Sequence, residues 1–217
     1  GGLQLRNRTR YADYDKLYQN VFPGAVNAGA GTVQLAAYNN ATQRENLFNQ
    51  TDLVFKARTG SLTHTLMAGA EFGRQETDNL RQSGSFLLGP GSPCLNTSAT
   101  GQSSGCAVPV ASPNVRAQVV YANNSANGSG DARNSGVARF SAVYLQDQIE
   151  FSPQWQAIVG VRFDRFDLDY TDRRNGVSDA NRNLSSSDDL LSPRVGLVYK
   201  PIANASLYAS YGVTKLP

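Results

Sequence analysis

From Leu47 onward, apolar and polar residues alternate with a period of two. Leu47, Asn49, Thr51, Leu53, Phe55 and Ala57 share one parity, and Phe48, Gln50, Asp52, Val54, Lys56 and Arg58 share the other, which carries the charges. Successive strand side chains point to opposite faces, so this is a strand with one apolar face. The turn Thr59, Gly60, Ser61 leads to a second such strand, with His64, Leu66, Ala68, Ala70 and Phe72 against Thr63, Thr65, Met67, Gly69, Glu71 and Gln75. A second hairpin sets Val143, Leu145, Ile149 and Phe151 beside Trp155, Ala157, Val159, Val161 and Phe163 across Ser152, Pro153 and Gln154. A third pairs Val195, Leu197 and Tyr199 with Leu207, Ala209 and Tyr211 across residues 201–204. With one strand near residues 3–14, the pattern predicts about seven strands.

The connections sort by length. The three turns are a few residues long, whereas segments 15–43, 79–136 and 172–189 are long and rich in Gly, Asn, Ser and Asp. Long strands with small turns at one end and polar loops at the other suit a transmembrane β-barrel, in which closed pairing satisfies every backbone group. A soluble sandwich has shorter strands and no such sorting of loops. The predicted fold is all-β: an antiparallel transmembrane barrel segment with short periplasmic turns and long extracellular loops. Bacterial barrels have an even strand number of at least about eight, so further strands are expected beyond one or both ends. Gly1 opens an arginine-bearing strand with no apolar leader behind it, and YASYGVTKLP stops just after a strand pattern. Residues 1–217 are therefore expected to be an internal piece of one barrel domain. Trp155, Tyr199, Tyr208 and Tyr211 at strand ends suit interfacial aromatic girdles, or ordinary strand propensity.

Composition narrows the classes. No stretch approaches the roughly 18 apolar residues of a spanning helix. The 10 Tyr, 9 Phe and 1 Trp argue against disorder, and the 20 Gly and 18 Asn suit strands and loops. A net charge of +3 with no Lys/Arg block gives no nucleic-acid partner. Cys94 and Cys106 are 12 positions apart in a stretch uncharged between Arg81 and Arg116. A disulfide in an oxidising compartment is the economical interpretation; unrelated thiols or a zinc half-site are the alternatives.

The segments LRNRTRYADYD, NQTDLVFKARTGSLTHTLMAGAEF, VYLQDQIEFSPQWQAIVGVRFDRFD and LLSPRVGLVYKPIANASLYASYG resemble successive barrel strands of TonB-dependent siderophore receptors, of the group taking up ferric catecholates and related chelates. The resemblance implies a barrel of roughly 22 strands closed by an N-terminal plug. The plug domain and the remaining strands are expected to lie outside residues 1–217. It further implies an outer-membrane receptor and transporter of ferric siderophores, energised by TonB, with the ligand captured by extracellular loops. No enzyme activity and no cofactor are implied, the iron-siderophore chelate being the ligand. Expected partners are the ferric siderophore, TonB through parts outside this chain, and outer-membrane lipid and lipopolysaccharide. A passive porin or a secreted soluble β-protein binding glycans would share part of the pattern.

Arg6, Arg8 and Arg10 share a parity with Gln4 and should face the lumen, where guanidinium groups attract anions and bind carboxylate or catecholate oxygens. Pairing with acidic residues on neighbouring strands or on a plug is the alternative. Asp164, Asp167, Asp169 and Asp172 lack the Gly and closing Glu of a calcium loop, and suit a solvated rim among Arg165, Arg173 and Arg174 facing water or lipopolysaccharide. His64, the single histidine, is expected at the membrane interface, and no metal site or catalytic triad can be assembled around it. The segment 79–136 is the expected ligand-facing element, with Phe86, Leu87, Leu88 and Tyr121 available to pack on a large chelate.

Overall fold

The computed structural model describes residues 2–113, 116–121 and 131–216. Its elements are β1 Leu3–Asn27, β2 Thr32–Thr59, β3 Leu62–Leu87, β4 Gln102–Ser103, β5 Cys106–Pro109, β6 Val119–Tyr121, β7 Ala132–Glu150, β8 Trp155–Asp172, α1 Asp179–Arg182, β9 Asn183–Ile202 and β10 Ala205–Gly212. Seven of them form an antiparallel meander in the order β1-β2-β3-β7-β8-β9-β10. The predicted strand number and fold class are therefore observed.

The turns form where the sequence permits them. Gly60 takes φ +62°, which a side chain would disfavour, and so closes the β2–β3 hairpin in two residues. Between β7 and β8, the Ser152 hydroxyl accepts hydrogen bonds from the backbone N–H of Gln154 and of Trp155, each at 3.2 Å. From these turns the ladders run without a slip, from Thr59↔Leu62 to Tyr38↔Ser83 and from Glu150↔Gln156 to Asn134↔Asp172.

An unbroken register keeps the two faces distinct. Leu53, Phe55, Phe72, Val143, Leu145, Val159, Val161, Phe163, Val195 and Leu197 share the outer face and are all exposed. A soluble sheet would bury such a belt; a wall one strand thick presents it to lipid. At the short-turn end Trp155 stacks on its cross-strand partner Tyr199 with centroids 4.4 Å apart. Tyr211 also lies on the outer face, opposite Val195, but Tyr208 opposes Val198 on the inner parity, so it is not a girdle residue.

On the inner face, glycines make room for rings. A Cβ at Gly69 would collide with the Tyr144 ring, and one at Gly73 with the rings of Phe140 and Phe48. The aromatic side chains thus lie across the neighbouring strand's bare backbone, an arrangement that covers the glycine and pins register.

The connections differ from expectation. Segment 15–43 is not an irregular loop: Asp15↔Gln43 through Pro23↔Leu35 continue the β1–β2 ladder, and only residues 28–31 form the tip. Likewise β8 and β9 reach Asp172 and Asn183, leaving 173–182 with the single turn α1. Both arms rise above the belt, where apolar and polar residues mix on both parities, so period two is hard to see there. Segment 79–136 is largely folded. Above Tyr38↔Ser83 strands β2 and β3 separate; β5 pairs with β2, and β4 and β6 pair with β3. Between them lies the dry core of the chain: Val33, Ala37, Phe86, Cys106 and Val108, with Leu35, Leu88, Cys94, Val119 and Tyr121 against it. Cys94 and Cys106 are disulfide-bonded, which removes the free-thiol and zinc alternatives. The part of the predicted loop at 114–115 and 122–130 lies outside the described residues.

Candidate ligand-binding wall

Strand register assembles the inner face in rungs. One runs Arg6↔Asp52↔Gly69↔Tyr144↔Arg162, and the next Arg8↔Gln50↔Glu71↔Ala142↔Asp164. Because Gly69 is bare, Tyr144 reaches over it and donates its hydroxyl to Asp52, while Gln50 Nε2 donates to the same hydroxyl at 3.1 Å. Arg162 bonds Glu71 at 2.6 Å and Asp164 at 2.8 Å, with its guanidinium 5.4 Å from the Tyr144 ring centroid. These groups and Arg6 and Arg8 border a concave space of about 880 Å³. The acidic groups there are already satisfied, whereas among the described residues Arg6 bonds Gln4 and Arg10 bonds the Tyr14 hydroxyl. Among the described residues, Arg6, Arg8 and Arg10 make no ion pair. Expected pairing with acidic residues on neighbouring strands is thus not what this chain provides, although Arg6 stands opposite Asp52.

Above the belt the same inner parity becomes aromatic. Tyr18, Phe22 and Tyr38 cluster with Tyr18–Tyr38 centroids 5.7 Å apart and Phe22–Tyr38 5.8 Å apart, both edge-on. The Tyr18 hydroxyl donates to the Tyr38 hydroxyl at 3.3 Å. Two cations flank the rings, Lys16 at 5.1 Å from the Tyr18 centroid and Arg81 at 4.5 Å from that of Tyr38. Accepting this hydrogen bond holds the Tyr38 hydroxyl below the usual phenol range, and the same bond raises that of Tyr18, its donor. Rings with cations at their faces suit a planar, electron-rich, anionic ligand.

Weak alternation over 15–43 predicts a loop there, which hides these residues. The signal was present: Tyr14, Lys16, Tyr18 and Phe22 continue the parity of Arg6, Arg8 and Arg10. Conversely, Phe86 is 1% exposed inside the lobe formed by β4, β5 and β6, so no ring face is open to a ligand. Tyr121 is half-buried where a Gly84 Cβ would approach Ala37, Val119 and its own ring, and burial pushes its hydroxyl pKa up. The lobe's core uses the outer parity of β2 and β3, Val33, Ala37, Gly84 and Phe86, and leaves the Tyr38 side outside it.

The aspartates of β8 do not converge. Asp164 lies on the inner face with Arg162, whereas Asp169 bonds Arg139 at 2.7 Å and Asp167 takes a hydrogen bond from Ser187 at 2.6 Å on the outer face. Asp172, buried, is held well below the usual carboxylate range, chiefly by its hydrogen bonds from Arg174. This is a charge-balanced rim.

Comparison with known proteins places this geometry. The chain is 28% identical to a probable TonB-dependent siderophore receptor, PiuA, of Acinetobacter baumannii, over 99% of this chain and 28% of the relative. It is 31% identical to the metal-pseudopaline receptor CntO of Pseudomonas aeruginosa, over 74% of this chain and 20% of that protein. Among solved structures, the open form of the ferric-catecholate import receptor Fiu from E. coli superposes with a TM-score of 0.70 at 18% identity, covering 99% of this chain and 33% of that one. BauA, the ferric preacinetobactin receptor of A. baumannii, gives 0.62 at 17% identity, with 95% and 27% covered. The chain thus spans about a third or less of the length of these relatives. The family model described as TonB dependent receptor-like, beta-barrel matches residues 1–214, and the chain belongs to that family of outer-membrane barrels.

Proposed function

We propose that this chain is part of the barrel wall of an outer-membrane receptor that takes up a ferric siderophore, and that the strip Lys16, Tyr18, Phe22, Tyr38 and Arg81 contacts the chelate on its way in. The carrying observation is that this aromatic and cationic strip lies on the inner face, above the apolar belt. Arg6, Arg8 and Arg10 continue the same parity downward, so an anionic ligand or a plug domain entering the lumen meets unpaired guanidinium groups. The disulfide-bonded lobe flanks the strip as a support, and Tyr121 on its surface remains a peripheral candidate contact. The iron chelate is cargo; no resident cofactor, metal or covalent step is invoked. TonB would act through segments outside this chain, and lipid and lipopolysaccharide would contact the outer belt and the charged rim. A passive channel would not need the aromatic strip.

The test is equilibrium binding of a ferric catecholate to the full-length receptor carrying this segment. Tyr38→Ala is expected to weaken binding about tenfold through loss of the ring and its cation contact, whereas Leu17→Ala on the outer face leaves it unchanged. Equal affinities of both variants and the unaltered receptor would reject the strip as the contact surface.

A further inference from the structure

One ionisable pair stands on the wrong face. Asp147 shares the outer parity of β7 with Val143, Leu145 and Ile149, and lies opposite Leu66 on β3 and Val159 on β8. His64, on the same face, places Nδ1 2.6 Å from Asp147 Oδ2. This partner lies 83 residues away, beyond what local alternation can report. A carboxylate in a lipid-facing belt is costly, and its presence there points to a role.

The surroundings indicate what role. A shallow, mostly apolar groove of about 510 Å³ is bordered by Leu66, Leu145, Val159, Val161 and Val195, with Asp147 and Arg194 as the charged members of its lining. Asp147 is three residues from the end of β7 at Glu150, toward the short turns. The rung Leu145↔Val161↔Pro193 is one step further toward the loop end, deeper in the belt. An acyl chain laid over that rung therefore brings its headgroup to Asp147. There Oδ2 is held by His64, while Oδ1 is buried with no hydrogen-bond partner among the described residues. A buried acceptor lacking a donor is costly, and the Asp147 side chain, part of the groove's lining, keeps 22% exposure.

We propose that this outer groove binds a phospholipid whose headgroup ends in a primary ammonium, with Asp147 as its acceptor and His64 fixing the carboxylate. A primary ammonium supplies both the charge and the N–H donors the carboxylate needs. A quaternary ammonium has the charge without the donors, and an anionic headgroup has neither.

The experiment is native mass spectrometry of the full-length receptor carrying this segment, equilibrated with phosphatidylethanolamine, phosphatidylcholine and phosphatidylglycerol of identical acyl chains. The ethanolamine lipid is expected to be retained about tenfold over the choline lipid, the size of one hydrogen bond to a charged group. Asp147→Asn is expected to abolish that preference, and Val161→Trp, which fills the groove, to reduce retention of the ethanolamine lipid in a receptor that still migrates as a folded barrel. Equal retention of the ethanolamine and choline lipids by the unaltered receptor, or preferential retention of the glycerol lipid, would overturn the proposal even if the Asp147 variant failed to fold.

Discussion

The barrel wall and the disulfide-bonded lobe are built from the same strands yet solve opposite problems. In the wall, β2 and β3 expose Leu53, Phe55 and Phe72 outward and hide polar residues such as Asp52 inward. Toward the loop end, the same outer parity carries Val33, Ala37 and Phe86, and these are buried in the lobe's core. The difference lies in the surrounding solvent. Lipid accepts an apolar face, so the belt needs no second layer; above the belt water surrounds both faces, so β4, β5 and β6 fold back to cover it. The lobe is thus a small soluble core grafted on a membrane wall, and its stability should be separable from that of the wall.

The strongest way to break this comparison is to attack the lobe alone. Phe86→Ala is expected to destabilise it by about 3–5 kcal/mol, as for a fully buried aromatic. Hydrogen exchange on the full-length receptor should show lost protection around residues 102–109 with the wall ladders unchanged; a barrel that unfolds as a whole would deny the separation. Reducing the Cys94–Cys106 bond should act in the same place by about 3 kcal/mol, the loop-closure value for its length, and limited proteolysis within 88–118 reads it.

The wall should answer to depth and face instead. Val161→Arg on the outer belt is expected to cost about 2–4 kcal/mol in refolding into liposomes, whereas Val54→Arg on the inner face costs well under that. Equal penalties would contradict the assignment of faces. Gly69→Ala is smaller, about 1–3 kcal/mol, because its methyl collides with the Tyr144 ring and forces that side chain off Asp52. The least effect is expected at the rim. Asp172 has a lowered pKa in the folded state, so its stabilising contribution is present above the ordinary carboxylate range and is lost as pH falls through the folded value. Acidification below about 4 should therefore loosen residues 173–182, and Asp172→Asn should remove that dependence.

What could be read from the sequence follows the same division. The hairpins at 47–75, 143–163 and 195–211 were legible because one of their faces meets lipid and the other does not, and that contrast is written as alternation. The arms of β1, β2, β8 and β9 were not, since Asp13, Asp15, Gln43 and Glu45 sit among polar neighbours on both parities. The lobe was opaque for another reason: its strands are two to four residues long and pair with β2 and β3 across gaps that local periodicity cannot report. At the site, the parity of Arg6, Arg8 and Arg10 was legible, and so was the disulfide. The aromatic strip was missed with the arm that carries it. Phe86 was offered as a contact because an apolar side chain in a polar loop resembles a binding residue as closely as it resembles a core one.

Under the proposed function, the ligand passes along the inner face of the β1–β2 arm. Fluorophores attached at single cysteines in the full-length receptor, at Asn20 and Asn40 on the inner parity and at Leu17 and Val21 on the outer, measure this directly through quenching by a bound ferric chelate. Strong quenching at positions 20 and 40 with little at 17 and 21 is the expected result. Quenching that is equal on both parities, or stronger at 17 and 21, would contradict it.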